Sequence, residues 1–180
     1  MPIISDTSPL IWLTKAGKIT LLKELFEEVI IPQEVYIEAV EKGLQHGFID
    51  ALIIKECVNQ GWIKLSKLNP KDHSIIQKIS EHAFEIHLGE AQAIILAHQT
   101  NTLLLMDEST GRAFAEAYGL KVKGTIYVIM CALRKGLINK TQAKETVLMM
   151  ISKGFRLEPN LLARLITEIE KYSSSQNSQL

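Results

Sequence analysis

Met1-Pro-Ile-Ile-Ser-Asp-Thr-Ser-Pro-Leu-Ile-Trp12 is the stretch whose reading decides the fold. Ile3 and Ile4 begin a short apolar run. Asp6 interrupts it, and Thr7, Ser8 and Pro9 follow at once. Ser8 is a good N-cap and Pro9 suits the first position of a helix, so a helix is expected from residue 8. The pattern is therefore strand, acid, helix. A strand this short and apolar belongs inside a parallel sheet. The carboxyl ends of such strands are where α/β folds place their chemistry, which puts Asp6 at a candidate site. A plainer account, an aspartate that bonds nearby backbone N–H groups in a turn, fits this stretch equally well on its own.

Outward from this start, strands and helices alternate. Short helices are expected over 8–16 and from Thr20, then a strand at Val29, Ile30 and Ile31 ended by Pro32. Residues 33–42 read as a helix closed by Gly43, and 48–60 as a helix stopped by Gly61. Residues 62–66 alternate like an edge strand. Asn69-Pro70 opens a helix to about Phe84, and another runs over 89–100. Leu103 to Met106 is the clearest buried strand, ended by Asp107, with Ser109 or Thr110 capping the next helix. Val122 marks a last strand, and Gly124-Thr125 starts a helix that ends at Gly136. Two more helices, over 141–153 and from Pro159 to about Tyr172, complete the pattern. Alternation of this kind predicts an α/β chain with a small parallel sheet. Right-handed crossovers then bring Asp6 and Asp107 to one edge.

Composition is that of an ordinary water-soluble chain: 180 residues, 47% apolar and 22% charged. No apolar run approaches the length of a membrane span, so no membrane partner and a cytoplasmic location are expected. Cys57 and Cys131 read as small buried hydrophobes rather than a disulfide or zinc site. The five histidines show no tight metal spacing and are expected at the surface or at helix ends. Net charge is zero but unevenly spread. Residues 24–50 hold seven acids and one base, while 121–156 hold eight bases and one acid. The basic run could meet phosphates, with Lys121, Lys123, Arg134 and Lys135 as candidate phosphate contacts. Solvated helix faces account for most of both runs equally simply. The run holds few aromatics, Tyr127 and Phe155, so base stacking is not its evident strategy.

Helical spacing helps to weigh the other acids. At about 100° per residue, Glu90 shares a face with Ala93, Ile94 and Ala97, whereas Gln92 and Gln99 mark the polar side. A glutamate on an apolar stripe is costly unless something pairs with it, which points to function; a first-turn acid stabilised by the helix dipole is the plainer account. Glu38 lies on a polar face with Glu34 and Glu41, and periodicity cannot choose among the three. Glu108 could join the cluster or face solvent, and Arg112 stands one turn on, within reach of either acid. Clustered carboxylates repel, and a hard divalent cation, Mg²⁺ or Mn²⁺, is the usual remedy. Such ions serve phosphodiester hydrolysis.

Four segments carry a resemblance: Ile4-Ser-Asp-Thr-Ser-Pro9, Pro32-Gln-Glu-Val-Tyr-Ile-Glu38, Leu88-Gly-Glu-Ala-Gln-Ala-Ile94 and Leu104-Leu-Met-Asp-Glu-Ser-Thr-Gly-Arg112. In this order they resemble the PIN-domain family, over about residues 1–170. The resemblance implies a three-layer α/β/α sandwich around a small central parallel sheet, with a PIN-like domain over 1–172; the polar composition of 173–180 separately predicts a disordered tail. It implies Mg²⁺ or Mn²⁺ in an acidic pocket and cleavage of single-stranded RNA. Asp6, Glu38, Glu90 and Asp107 match the family's acids in order, and this match alone selects Glu38. Asp6, Glu90 and Asp107 are the implied metal ligands, with Ser8, Glu108 and Arg112 in support. A toxin role with a small antitoxin partner, and a homodimer, are further implications. Two departures stand out: Ser109 replaces a further acid, and Glu90 stands where many relatives have Asp. A non-catalytic RNA-binding or protein-interaction module on the same fold is the alternative.

Overall fold

The structure is a computed structural model that describes residues 1–82 and 86–172. Phe84, the expected end of one helix, lies outside the described residues, as does the expected tail over 173–180; the side chains of His73 and His82 do too. Five short strands form the sheet: β1 (Ile3–Ser5), β2 (Val29–Pro32), β3 (Ile63–Ser66), β4 (Leu104–Leu105) and β5 (Val122–Lys123). All neighbours pair in parallel, in the order β3-β2-β1-β4-β5. Ile4 is the pivot of the register, opposite Ile30 on one side and Leu104 on the other. Successive strands step outward from β1 in one direction and then, from β4, in the other. The order thus reverses between β1 and β4, and open parallel sheets bind ligands in the crevice at that point.

Helices cover both faces, because alternate residues of each strand point to opposite sides and both sides are apolar. Ile3, Ile31 and Leu105 face one core, and Ile4, Leu104 and Met106 face the other. The first core is closed by α1 (Thr7–Lys15), α2 (Thr20–Leu25), α5 (Ile49–Asn59), α9 (Thr125–Arg134) and α10 (Lys140–Ser152), with α11 (Pro159–Lys171) anchored by Ile169. The second is closed by α6 (His73–His82), α7 (Leu88–Thr100) and α8 (Ser109–Ala117). The result is the expected three-layer sandwich. Among the described residues no helix is long and apolar enough to cross a membrane.

Three local expectations are corrected. The helix after β1 begins at Thr7, with Asp6 as its N-cap residue, so Ser8 is inside the first turn and Pro9 follows it. The third helix does not end at Gly43. It runs from α3 (Gln33–Tyr36) through a π-helical segment (Ile37–Lys42) into α4 (Gly43–Gln45), and Gly47, at φ 73°, follows it. Gly43 has a packing reason instead: a Cβ there would stand 2.6 Å from the Cβ of Ala51 in α5. Finally, the residue that caps α8 is Glu108, whose carboxylate accepts from the Ser109 N–H at 3.0 Å, not Ser109 or Thr110. Both cysteines are free, Cys57 buried and Cys131 half-buried.

Candidate active site

The carboxyl edge of the sheet is acidic because two central strands run straight into aspartates. Asp6 follows β1 and is only 2% exposed. Its backbone N–H still donates to Leu105 O, so the ladder holds the residue in place. Asp107 lies two residues beyond β4, after Met106, whose N–H donates to Lys123 O. The two acids therefore flank the reversal in strand order.

Glu38 and Glu90 come in from the helical layers. Glu38 lies in the π-helical segment and is half-buried. Its Oε2 accepts from Thr7 Oγ1 at 2.8 Å, next to Asp6. It also rests against Gly89 at the start of α7: a Cβ there would lie 2.9 and 3.0 Å from the two carboxylate oxygens. The neighbouring glutamate Glu34 pairs instead with Lys42 at 3.7 Å. Glu38 is thus partly withdrawn from solvent, and its contacts with Thr7 and Gly89 set it apart from Glu34. Glu90 is 6% exposed on the buried face of α7, as its spacing predicts. It also has a structural task, since Oε2 accepts from the His87 N–H at 2.8 Å and closes the first turn of α7. Gln92 is not on a polar face. It is buried and accepts from the Glu34 N–H at 3.1 Å, capping the first turn of α3 from a neighbouring helix.

Asp107 reaches across to α9. Its Oδ1 accepts from the Thr125 N–H at 2.7 Å and its Oδ2 from Thr125 Oγ1 at 2.6 Å. This contact needs Gly124, where a Cβ would stand 2.7 Å from Asp107 Oδ1 and 3.1 Å from an Arg112 guanidinium nitrogen. The Arg112 charge acts on Asp107, and one of its nitrogens lies loosely, 3.9 Å, from Glu116. Glu108 is exposed and held by its own cap. Ser8 is half-buried in the first turn of α1.

Burial and mutual repulsion set the electrostatics. Asp6 is pushed up to about 8, first by burial. The Thr7 N–H, which faces it without forming a cap hydrogen bond, pulls the other way, and the charges of Glu90, Glu38 and Asp107 raise it further. Burial also raises Glu90, against the His87 N–H and the His87 charge, with Glu108 and Glu38 adding to the rise. Asp107 is raised by burial, while Thr125 and Arg112 oppose that. The structure therefore brings Glu38, Glu90 and Asp107 within electrostatic reach of Asp6, and Glu38 within reach of Glu90.

The basic candidates separate. Lys123 is exposed at the end of β5, beside Asp107, in a cleft of about 400 Å³. Lys121 precedes β5, further from the carboxyl edge. Arg134 and Lys135 sit at the opposite end of α9 from Thr125, roughly 14 Å away at 1.5 Å per residue. Arg156, on the loop between α10 and α11, lines the cleft instead. The linear order of bases could not show which of them fold back to the sheet edge. Thr7 and Thr125, each bonded to an acid, were likewise missed, although the Gly124-Thr125 step was visible as a helix start.

A family model described as a PIN domain matches residues 2–171. The chain belongs to the PIN-domain family. Comparison with curated proteins gives no match. PIN domains are generally metal-dependent nucleases that use divalent ions, so this chain carries a nuclease-type fold. Its donor chemistry fits such an ion, since every acid offers hard carboxylate oxygen and the mutual repulsion at Asp6 is relieved by positive charge. Yet among the described residues no three of His, Cys, Asp and Glu stand as a ready metal-ligand group. The PIN site holds Asp107 with both oxygens, and Glu90 with one, on backbone or hydroxyl donors.

Proposed function

We propose that this PIN domain is a Mg²⁺- or Mn²⁺-dependent ribonuclease that cleaves single-stranded RNA. The observation that carries the reading is Asp6, buried at the strand-order reversal among the charges of Glu90, Glu38 and Asp107. Asp6, Glu90 and Asp107 would hold the cation. When bound, Mg²⁺ or Mn²⁺ supplies charge for the phosphate oxygens and acidifies water for attack. Glu38, which accepts from Thr7 and lies against Gly89, would act as the proton acceptor in this reading. Lys123 and Arg112, beside Asp107, supply positive charge on the open side. The proposal extends to a toxin role, with a small antitoxin partner and a homodimer.

A second reading, an RNA-binding or protein-interaction module without catalysis, draws support from the acids already engaged as helix caps. One experiment separates the two. Purified protein and its Asp6→Asn variant are incubated with single-stranded RNA, with Mn²⁺, with Mg²⁺ and with EDTA. The ribonuclease reading expects Mn²⁺- or Mg²⁺-dependent cleavage that the variant lacks. Bound but intact RNA under every condition would overturn it in favour of the module. Light scattering of the purified chain, alone and with the product of an adjacent small reading frame, tests the assembly.

A further inference from the structure

The cleft beside Asp107 has more chemistry than its position alone requires. One side is β5 and the start of α9, bringing Lys123, Gly124 and Tyr127; the other is the loop into α11, bringing Phe155 and Arg156. Three cations, Arg112, Lys123 and Arg156, share it with two acids, Asp107 and Glu158, so the lining is net positive. Lys123 Nζ lies 5.7 Å from the centroid of the half-buried Tyr127 ring. Phe155 is a fixed wall, only 9% exposed, with its ring edge-on to Trp12 at 5.5 Å and its N–H bonded to Met150 O at 2.9 Å. The two aromatic residues of the basic run, unpromising in the linear sequence, are thus brought to one place.

We propose that this cleft seats one unpaired nucleotide of the RNA strand next to the cleaved bond. The base lies on Tyr127, and Lys123 and Arg156 hold the flanking phosphates. Three features support the assignment. The space, about 400 Å³, is within the range of small-ligand sites. Exposed cations beside an aromatic face are the usual means of holding single strands. And a paired base, stacked between its neighbours, cannot enter a walled recess without leaving the duplex. The cleft therefore accounts for a preference for single strands, with Asp107 shared between the recess and the acid cluster. This rests on the ribonuclease reading for its meaning, but binding tests it without cleavage.

The probe is a fluorescent single-stranded RNA dodecamer, with its duplex as comparison, in EDTA so that no strand is cut. Anisotropy is measured for the wild-type protein and for Lys123→Ala, Arg156→Ala, Tyr127→Ala and Tyr127→Phe. Expected are tighter binding of the single strand than of the duplex and about tenfold weakening by Tyr127→Ala, restored by Tyr127→Phe. Each lost cation should weaken binding several-fold and lower the salt slope by about one. Lys135→Ala, beyond the far end of α9, should bind as wild type. Equal binding of duplex and single strand, wild-type affinity in Tyr127→Ala and Arg156→Ala, or no binding by the wild type overturns the cleft assignment. Mn²⁺-dependent cleavage with unaffected binding by the cleft variants removes the cleft and leaves the ribonuclease. Weakened binding by those variants, in a protein that never cleaves, leaves the cleft and removes the ribonuclease.

Discussion

Asp6 carries an unusual sign for a carboxylate. Its folded-state value is pushed from 3.8 up to about 8, so the unfolded chain loses its proton first as pH rises. The contribution of Asp6 to stability is therefore complete below about pH 4 and declines as pH climbs towards 8, the opposite of a salt-bridged aspartate. Asp6→Asn should raise the metal-free melting temperature at pH 8 and flatten the decline between pH 5 and about 8; equal pH profiles would show that the burial of this acid costs little. Asp107→Asn differs, because the carboxylate serves Thr125 twice. It should cost about 1–2 kcal/mol in chemical denaturation and abolish cleavage. Gly89→Ala separates fold from site. Alanine improves the helix by up to about 1 kcal/mol, while its Cβ displaces the Glu38 carboxylate from Thr7. Lost cleavage at undiminished stability is the expected result. These residues also show what the sequence disclosed. Asp6 and Asp107 were legible because each ends an apolar strand, and Glu90 because it breaks an apolar stripe. Glu38 was not, because three glutamates share its helix and only the contacts with Thr7 and Gly89 distinguish one.

At the scale of elements, helix ends were harder to read than helix existence. Capping here is often tertiary: Gln92 of α7 serves the start of α3, and Asp107 serves the start of α9. Local patterns such as Ser8-Pro9 compete poorly with a ladder hydrogen bond that keeps Asp6 in extended geometry. The π-helical turn at Ile37–Lys42 follows no 3.6-residue wheel, so positions read from such a wheel drift across it. By contrast, the final helix carries an apolar stripe at helical spacing, Leu161, Leu162, Leu165, Ile166 and Ile169. Ile169 is fully buried, Leu162 and Leu165 pack on the core, and Leu161 stays exposed at the cleft. The Tyr172 hydroxyl donates to Arg134 O at 3.0 Å, and Lys144 pairs with Glu170 at 2.5 Å. Truncation before Pro159 should cost about 3–6 kcal/mol and expose apolar surface, read by dye binding and denaturant midpoint. Ile169→Ala, at about 2–4 kcal/mol, is the milder check. Unchanged stability in both would show that the stripe does not hold the core.

For the whole molecule, strand order was the part that alternation implied without specifying. Five apolar runs predict a parallel sheet, but only pairing shows that β1 is central and β4 its second neighbour. That order draws acids separated by a hundred residues of chain to one edge. If they hold Mn²⁺, the ion should raise the melting temperature, more so at pH 8 than at pH 5, and the gain should vanish in Asp6→Asn. A gain of equal size in both proteins would place the ion elsewhere. The engagement of Glu90 and Asp107 with the His87 and Thr125 amides has a further consequence. An ion that draws on those carboxylates pulls electron density from the acceptors of two helix starts and weakens those hydrogen bonds. Occupancy then becomes audible in the backbone, as faster deuterium uptake at His87 and Thr125 against slower uptake elsewhere. Two amide protons would report on the loading of the site with no substrate present.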